Sequence, residues 1–325
     1  MLGLAGIPLG LRFRFLDPSP GAPAADVGEL VVGDFDDPDA LAQLRSGADV
    51  VTYEFENVSV ASAVALGALP PPRALELGQD RLVEKKLFSR LGIATARFGS
   101  LAQAGLPALV KSRRLGYDGK GQRLVEVDEV LGSDELAEEL IRFDRELSII
   151  AVRSGDGESR FWPVSENVHR GGILRVSRAP ALDAPQREAE ELAGRLLDEL
   201  EYVGVLALEL FEVKGRLLAN EFAPRVHNTG HWTIDGAVTS QFENHLRAIL
   251  GMPLGPTDAR SETVMLNLIG GTPPIGQLLA LPGAHLHLYG KAPRHGRKLG
   301  HLTLVDADER TIVEATALVD AAAHG

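Results

Sequence analysis

Two acids in the stretch 208–232, LELFEVKGRLLANEFAPRVHNTGHW, have the type and spacing to hold a divalent cation. Strand-forming runs at 205–213 and 217–222 flank Lys214, Gly215 and Arg216, and Gly215 supplies the positive φ that a tight hairpin needs. A three-residue loop pairs Val213 with Leu217 and, four residues further along each strand, Glu209 with Glu221. Their Cβ atoms then lie about 5 Å apart on one face, where like charges repel unless a cation sits between them. A two-residue loop sets Asn220 against Glu209 instead, so an oxygen-rich pair survives either register. Hard oxygen donors in a chain without cysteine suit Mg²⁺ holding phosphates better than zinc. The alternative is a surface hairpin whose acids are solvated. Directly beyond Ala223-Pro224, Arg225, His227, Asn228 and His231 concentrate cationic and amide donors that suit an anionic substrate. HNTGH also reads as a zinc loop, although it lacks a third ligand of obvious spacing.

The elements that must carry this hairpin are α/β in character. Residues 1–80 alternate helix (1–6), strand (11–16), strand (29–32), helix (38–46), strand (50–53) and helix (59–66), the pattern of a parallel sheet with crossover helices. Asp17, Glu54 and Glu56 fall at strand ends, where open α/β sheets place ligand contacts, or act as caps and solvated acids. Three prolines in 69–73 read as a linker. A helix over 80–91 with N-cap Asp80 carries Arg81, Lys85 and Lys86, cations that on most helices only solvate a face. A strand at 108–112 contains Lys111 and leads to LGYDGKGQ, whose glycines, with charge from Lys111 and Lys120, make a phosphate lid or a bare Gly-rich hairpin; it is not a Walker A loop. The run EELI beside a strand at 146–152 offers backbone groups for adenine and an acid for ribose. A turn at 154–157 joins that strand to another at 160–163. Helices at 186–199, 241–250 and 309–322 and strands at 262–269, 285–289 and 299–305 complete the chain. The basic cluster KAPRHGRK (Lys291, Arg294, Arg297, Lys298) either closes a phosphate pocket or balances local acids.

Bulk properties exclude several classes. With 325 residues, 45% of them hydrophobic, the chain can fill two or three cores. A formal charge of −12 argues against a general nucleic-acid or membrane-surface binder. The absence of cysteine excludes disulfides and thiolate chemistry and fits a cytoplasmic setting. No apolar run approaches the ~20 residues that span a bilayer, and MLGLAGIPLGLRFRF lacks the basic leader and cleavage site of a signal peptide.

Taken together, YEFENV (53–58), GYDGKGQ (116–122), FDRELSII (143–150), ENVHRGGILR (166–175), NEFAPRVHNTGHW (220–232) and GRKLGHLTL (296–304) resemble the N5-carboxyaminoimidazole ribonucleotide synthetase family, almost end to end and in order. The resemblance implies an α/β (α+β) ATP-grasp fold in three parts: a preATP-grasp Rossmann-like domain (1–75), the ATP-grasp domain (76–252) and a small β-rich C-terminal domain (253–325). It implies a purine-biosynthetic carbon–nitrogen ligase that carboxylates 5-aminoimidazole ribonucleotide with ATP, bicarbonate and Mg²⁺, through carboxyphosphate. ATP would be held by Arg81, Lys111, Glu138, Glu139, Leu140, Ile141, Glu146, His169, Asn220 and Glu221, with Glu209 and Glu221 on the metal. Tyr117, Asp118, Lys120, Arg225, His227, Asn228 and Lys291 would surround the ribonucleotide, with Arg225, Lys291 and Asp118 closest to the chemistry. A homodimer with small-molecule partners is the family expectation. Family members normally open with a strand and a Gly-rich turn. This chain begins at the Met of that turn, so the first strand is expected to be missing, with a misassigned start as the economical explanation. The connection between Gln122 and Glu138 is also short, and a surface helix is expected to be trimmed there. The competing readings are another purine-pathway ATP-grasp ligase or a formate-dependent transformylase, and a nucleotide-binding protein inactivated by its short first domain.

Overall fold

The computed structural model describes residues 1–116 and 121–323. The chain opens with α1 (Leu2–Gly6), β1 (Arg14–Asp17), β2 (Glu29–Val32), α2 (Pro38–Arg45), α3 (Val60–Leu66) and α4 (Pro72–Gly78). β1 and β2 pair in parallel, and the side chains of Asp37 and Ser59 accept from the first-turn amides of α2 and α3. Two expectations fail here. Residues 50–53 form no strand, although Val51 and Tyr53 are buried. The Val51 carbonyl accepts from Leu69 N–H, and the Thr52 hydroxyl bonds His245, so polar groups here find partners without a ladder neighbour. The proline run is not a linker throughout. Pro72 starts α4, where its missing N–H costs nothing, and Ala74 and Leu75 are fully buried behind it.

Next come α5 (Arg81–Arg90), β3 (Phe98–Gly99), α6 (Leu101–Ala104), β4 (Ala108–Ser112), β5 (Gln122–Val125) and β6 (Glu135–Glu139). The four strands make an antiparallel sheet in the order β3-β6-β4-β5, and no helix intervenes between β5 and β6. The rest of the chain is β7 (Arg145–Arg153), β8 (Ser159–Phe161), β9 (Ser165–Arg170), β10 (Ile173–Ala179), α7 (Gln186–Glu199), β11 (Gly204–Val213), β12 (Arg216–Ala223), α8 (Thr233–Gly236), α9 (Gln241–Ile249), β13 (Thr263–Ile269), α10 (Ile275–Leu279), β14 (Ala284–Leu288), β15 (Lys298–Val305) and α11 (Glu309–Ala322). One sheet runs β12-β11-β7-β9-β10-β13-β15-β14, with β8 paired to β7. It passes without a break into the C-terminal strands.

The sheet is buried on both faces because its central strands alternate apolar residues in both directions. Leu147, Ile149, Leu206, Leu208 and Leu210 pack with Leu196 and Leu197 of α7 and Leu87 and Phe88 of α5. Ile150, Val152, Val205 and Ala207 face Phe242, Leu246 and Ile249 of α9 and Leu2 of α1. Each fully buried leucine contributes roughly 2 kcal/mol. β11 is thereby fixed from both sides, and with it the direction of Glu209.

His245 of α9 sits inside this layer, fully buried. Its Nδ1 accepts from Val205 N–H, so the proton is on Nε2 and is donated to the Thr52 hydroxyl. Burial pushes the imidazole down to about 4. Its folded value lies below the unfolded one, so the unfolded chain binds the proton first as pH falls. This group's contribution is complete above about pH 6.5 and is lost progressively towards pH 4, on the order of 3 kcal/mol over the window. The His245 Hε1 resonance is expected to remain that of a neutral ring down to pH 5. A titration midpoint near 6.5 would contradict this.

Candidate active site

Lys214 and Gly215 both adopt positive φ, 52° and 74°, and Val213 pairs directly with Arg216. The hairpin loop therefore has two residues, not the three expected from sequence. Glu209 nevertheless faces Glu221. The ladder runs Leu210 with Ala219, then shifts by one residue so that Glu209 pairs with Glu221 and Leu208 with Phe222, leaving Asn220 as the extra residue of a β-bulge.

The bulge is held from outside, because β12 is the edge of the sheet and its outward polar groups are claimed by neighbouring elements. Ala219 N–H donates to the Ala94 carbonyl (2.7 Å), and the Thr95 hydroxyl donates to the Ala219 carbonyl (2.6 Å). Lys85 Nζ donates to the Asn220 carbonyl (2.6 Å), and Phe222 N–H donates to Glu84 Oε1 (2.7 Å). Lys85 and Glu84 are both fully buried. In α5 they occupy the positions that face the sheet beside Leu87 and Phe88, and charged residues on that apolar face are the sequence signal of a function in the site.

Charge around the bulge is dense. Arg81 Nη1 lies 2.7 Å from Glu221 Oε2, and its Nη2 donates to the Gly116 carbonyl. Lys111 and Lys85 approach the same oxygen of buried Glu138 at 2.9 and 3.4 Å. Burial and the neighbouring Glu221 raise the Glu209 carboxyl well above the carboxylate range. Burial acts in the same sense on Glu221, but the Arg81 guanidinium outweighs it and keeps Glu221 ionised. His227 Nε2 is 3.3 Å from Glu209, while its Nδ1 faces the Thr229 hydroxyl and accepts from Thr229 N–H. Burial, together with Arg225, pushes this imidazole down to about 3, so it stands as a neutral ring beside Glu209. Asn220 Oδ1 is buried with no hydrogen-bond partner among the described residues. Two facing carboxylates beside an orphaned amide oxygen make a donor set that fits a hard divalent cation.

Three family models match the chain: a ribonucleotide synthetase preATP-grasp domain over residues 1–79, an ATP-grasp domain over 88–242, and a phosphoribosylaminoimidazole carboxylase C-terminal domain over 263–315. The N5-carboxyaminoimidazole ribonucleotide synthase of Pseudomonas aeruginosa is 47% identical, the match covering 99% of this chain and 96% of that protein. The chain belongs to this family. The crystal structure of the Thermus thermophilus synthetase superposes with a TM-score of 0.94 at 50% identity, covering 100% of this chain and 96% of that one. The Aspergillus clavatus synthase, solved with ADP and 5-aminoimidazole ribonucleotide, gives 0.89 at 29% identity, covering 99% and 95%. The fold is accordingly the ATP-grasp fold with its preATP-grasp and C-terminal partners, as the resemblance implied.

Within this N5-carboxyaminoimidazole ribonucleotide synthase fold the remaining expected residues divide into three groups. The first lines the sheet face around Glu209. Glu146 and His169 form a close pair, and the charges of Glu146 and Glu209 raise the His169 imidazole against the effect of its burial. Beside them Ser148, Ser165, Asn167 and Ser177 form a buried hydrogen-bonded row that sequence reasoning did not find. The second group surrounds the 225–231 loop. Arg225 pairs with Glu56 at 2.8 Å, Asn228 accepts from Lys298, and Lys291 lies 5.7 Å over the Tyr289 ring. The third group lies along β6 and its link to β7: Glu138 is held by its two lysines, Glu139 pairs with Arg97 at 3.0 Å, and Leu140 and Ile141 are half-buried. Tyr117, Asp118 and Lys120 lie outside the described residues. The zinc reading of HNTGH fails, because His227 turns to Glu209 and His231 to Tyr289.

Proposed function

We infer that this chain is the ATP-dependent ligase that carboxylates 5-aminoimidazole ribonucleotide on its exocyclic amine, using bicarbonate, in purine biosynthesis. The observation that carries this reading is the bulge-aligned Glu209–Glu221 pair, flanked by Arg81, Lys85 and Lys111 on one side and by Arg225, His227 and Lys298 on the other. Its support is the end-to-end likeness to the family. A bicarbonate oxygen attacks the γ-phosphorus of ATP, ADP leaves, and the amine then attacks the carboxyl carbon of carboxyphosphate, expelling phosphate and losing a proton. Arg81 and Lys111 offset the phosphoryl charge, exchanging Glu221 and Glu138 for phosphate oxygens. Arg225, His227, Asn228, Lys291 and Lys298 hold the ribonucleotide and its phosphate. Glu209 and Glu221, with Asn220, would hold Mg²⁺, which when bound would supply positive charge to offset that of the phosphates. Most of the rate then comes from positioning and charge neutralisation, with no protein nucleophile.

The test is ADP release by the purified protein with each substrate omitted in turn. Release is expected only when 5-aminoimidazole ribonucleotide is present, with bicarbonate required for labelled carbon to enter an acid-labile product. Stimulation by formate would favour a transformylase. ATP binding with no turnover would mark a nucleotide-binding protein.

A further inference from the structure

A second cluster of metal-ligand side chains lies outside this site, where the C-terminal strands meet α8. β14 and β15 pair His287 with His301 and His285 with Thr303, so the three imidazoles project from one face of the hairpin. The rings of His287 and His301 stack at 4.5 Å. Asp235 of α8 points at them: its Oδ2 is 2.8 Å from His287 Nε2, and its Oδ1 is 3.5 Å from His285 Nδ1. One ligand atom from each of Asp235, His287 and His301 lies within 4.8 Å of the others. The decisive feature is His301. Its ring is fully buried and its Nδ1 bonds Tyr289 Oη at 2.6 Å, yet Nε2 has no hydrogen-bond partner among the described residues. A buried imidazole nitrogen is costly to leave bare, and beside a carboxylate and a second imidazole its lone pair is placed to ligate a metal ion.

We propose that Asp235, His287 and His301 form a zinc site, distinct from the magnesium carboxylates, that ties the β14–β15 hairpin to α8. Two imidazoles and one carboxylate are a zinc donor set, with a fourth position open to water. Its surroundings supply the supports such ligands require. Tyr289 Oη lies 2.6 Å from His301 Nδ1 and 3.0 Å from His231 Nδ1; with zinc bound, His301 Nδ1–H would donate to that hydroxyl and the hydroxyl to His231, which leaves His301 Nε2 deprotonated for the ion. His285 restrains the second oxygen of Asp235. Lys298, the cation whose charge reaches His301, lies 5.4 Å over the Tyr289 ring with its ammonium on Asn228.

Equilibrium dialysis of the full chain against Zn²⁺, with excess Mg²⁺ to occupy the carboxylate site, is expected to retain one equivalent of zinc. Asp235→Asn and His287→Ala, at partly exposed positions that threaten the fold less than His301 does, should each weaken retention at least about tenfold. Tyr289→Phe should weaken it by about tenfold through the lost support. Glu221→Ala should retain zinc as the parent does. Co²⁺ in place of Zn²⁺ should give d–d bands that vanish in His287→Ala. Failure to retain zinc, or retention unchanged in both Asp235→Asn and His287→Ala, overturns the site. Loss of zinc in Glu221→Ala alone assigns the ion to the carboxylates and overturns it equally.

Discussion

Glu221→Ala is expected to lower kcat for ADP formation by about 10³-fold or more while the protein stays folded. Two consequences of the geometry separate this from general damage. The side chain is 39% exposed, so its removal opens no cavity in the core. Its charge also raises both Glu209 and Glu84, so its loss relaxes two buried carboxyls at the cost of the Arg81 pair. The thermal midpoint should therefore change little. Raising Mg²⁺ should not restore turnover, because Glu209 alone cannot bridge as the pair does. Steady-state ADP release against Mg²⁺ concentration, with a thermal melt on the same sample, checks both halves. Near-normal turnover would remove the metal assignment.

The hairpin shows what is legible in the sequence and what is not. The pairing of Glu209 with Glu221 is expected from a three-residue loop, and it arises instead from a two-residue loop plus a bulge at Asn220. The two routes give the same partner because a bulge adds the one residue that the shorter turn removes. Nothing local at Asn220 announces the bulge: it is set by Lys85, Glu84, Thr95 and Ala94, which are more than a hundred residues away. Periodicity places the long helices and strands well. It fails at 50–53, where the Val51 carbonyl accepts from Leu69 N–H and the Thr52 hydroxyl bonds His245, and at Pro72, where a breaker is also a good helix start. The continuous sheet from β12 to β14 is not legible either, since register between strands far apart in sequence is decided by packing. Lys111 already reads from the sequence as a phosphate-lid charge and Arg81 emerges from the family resemblance, whereas Lys85 reads as a solvated helix charge, because its burial comes from a sheet that local pattern does not reveal.

Lys85→Met tests the role that burial gives this lysine and should damage both stability and catalysis. The ammonium is buried at 1% exposure, and burial lowers its affinity for a proton; Glu138, at 4%, supplies the compensating charge. Methionine fills nearly the same volume, so the loss is electrostatic. It strands Glu138 on Lys111 alone and leaves the Asn220 carbonyl without its 2.6 Å donor, a combination that costs about 3–5 kcal/mol in comparable buried pairs. The functional effect follows from register. Without Lys85 on the Asn220 carbonyl, the ladder that aligns Leu210 with Ala219 can continue past the bulge, which would set Asn220 rather than Glu221 against Glu209. kcat is expected to fall about 100-fold, with a weaker dependence on Mg²⁺ and a smaller change in KM for the ribonucleotide, because Lys85 positions the hairpin without touching substrate. The double variant Lys85→Met/Glu138→Gln distinguishes the two roles. Removing the stranded carboxylate should recover part of the stability, whereas turnover should stay low because the bulge is still unheld. Full recovery of turnover in the double variant would show that Lys85 serves only to neutralise Glu138, and the account of the bulge would have to be given up.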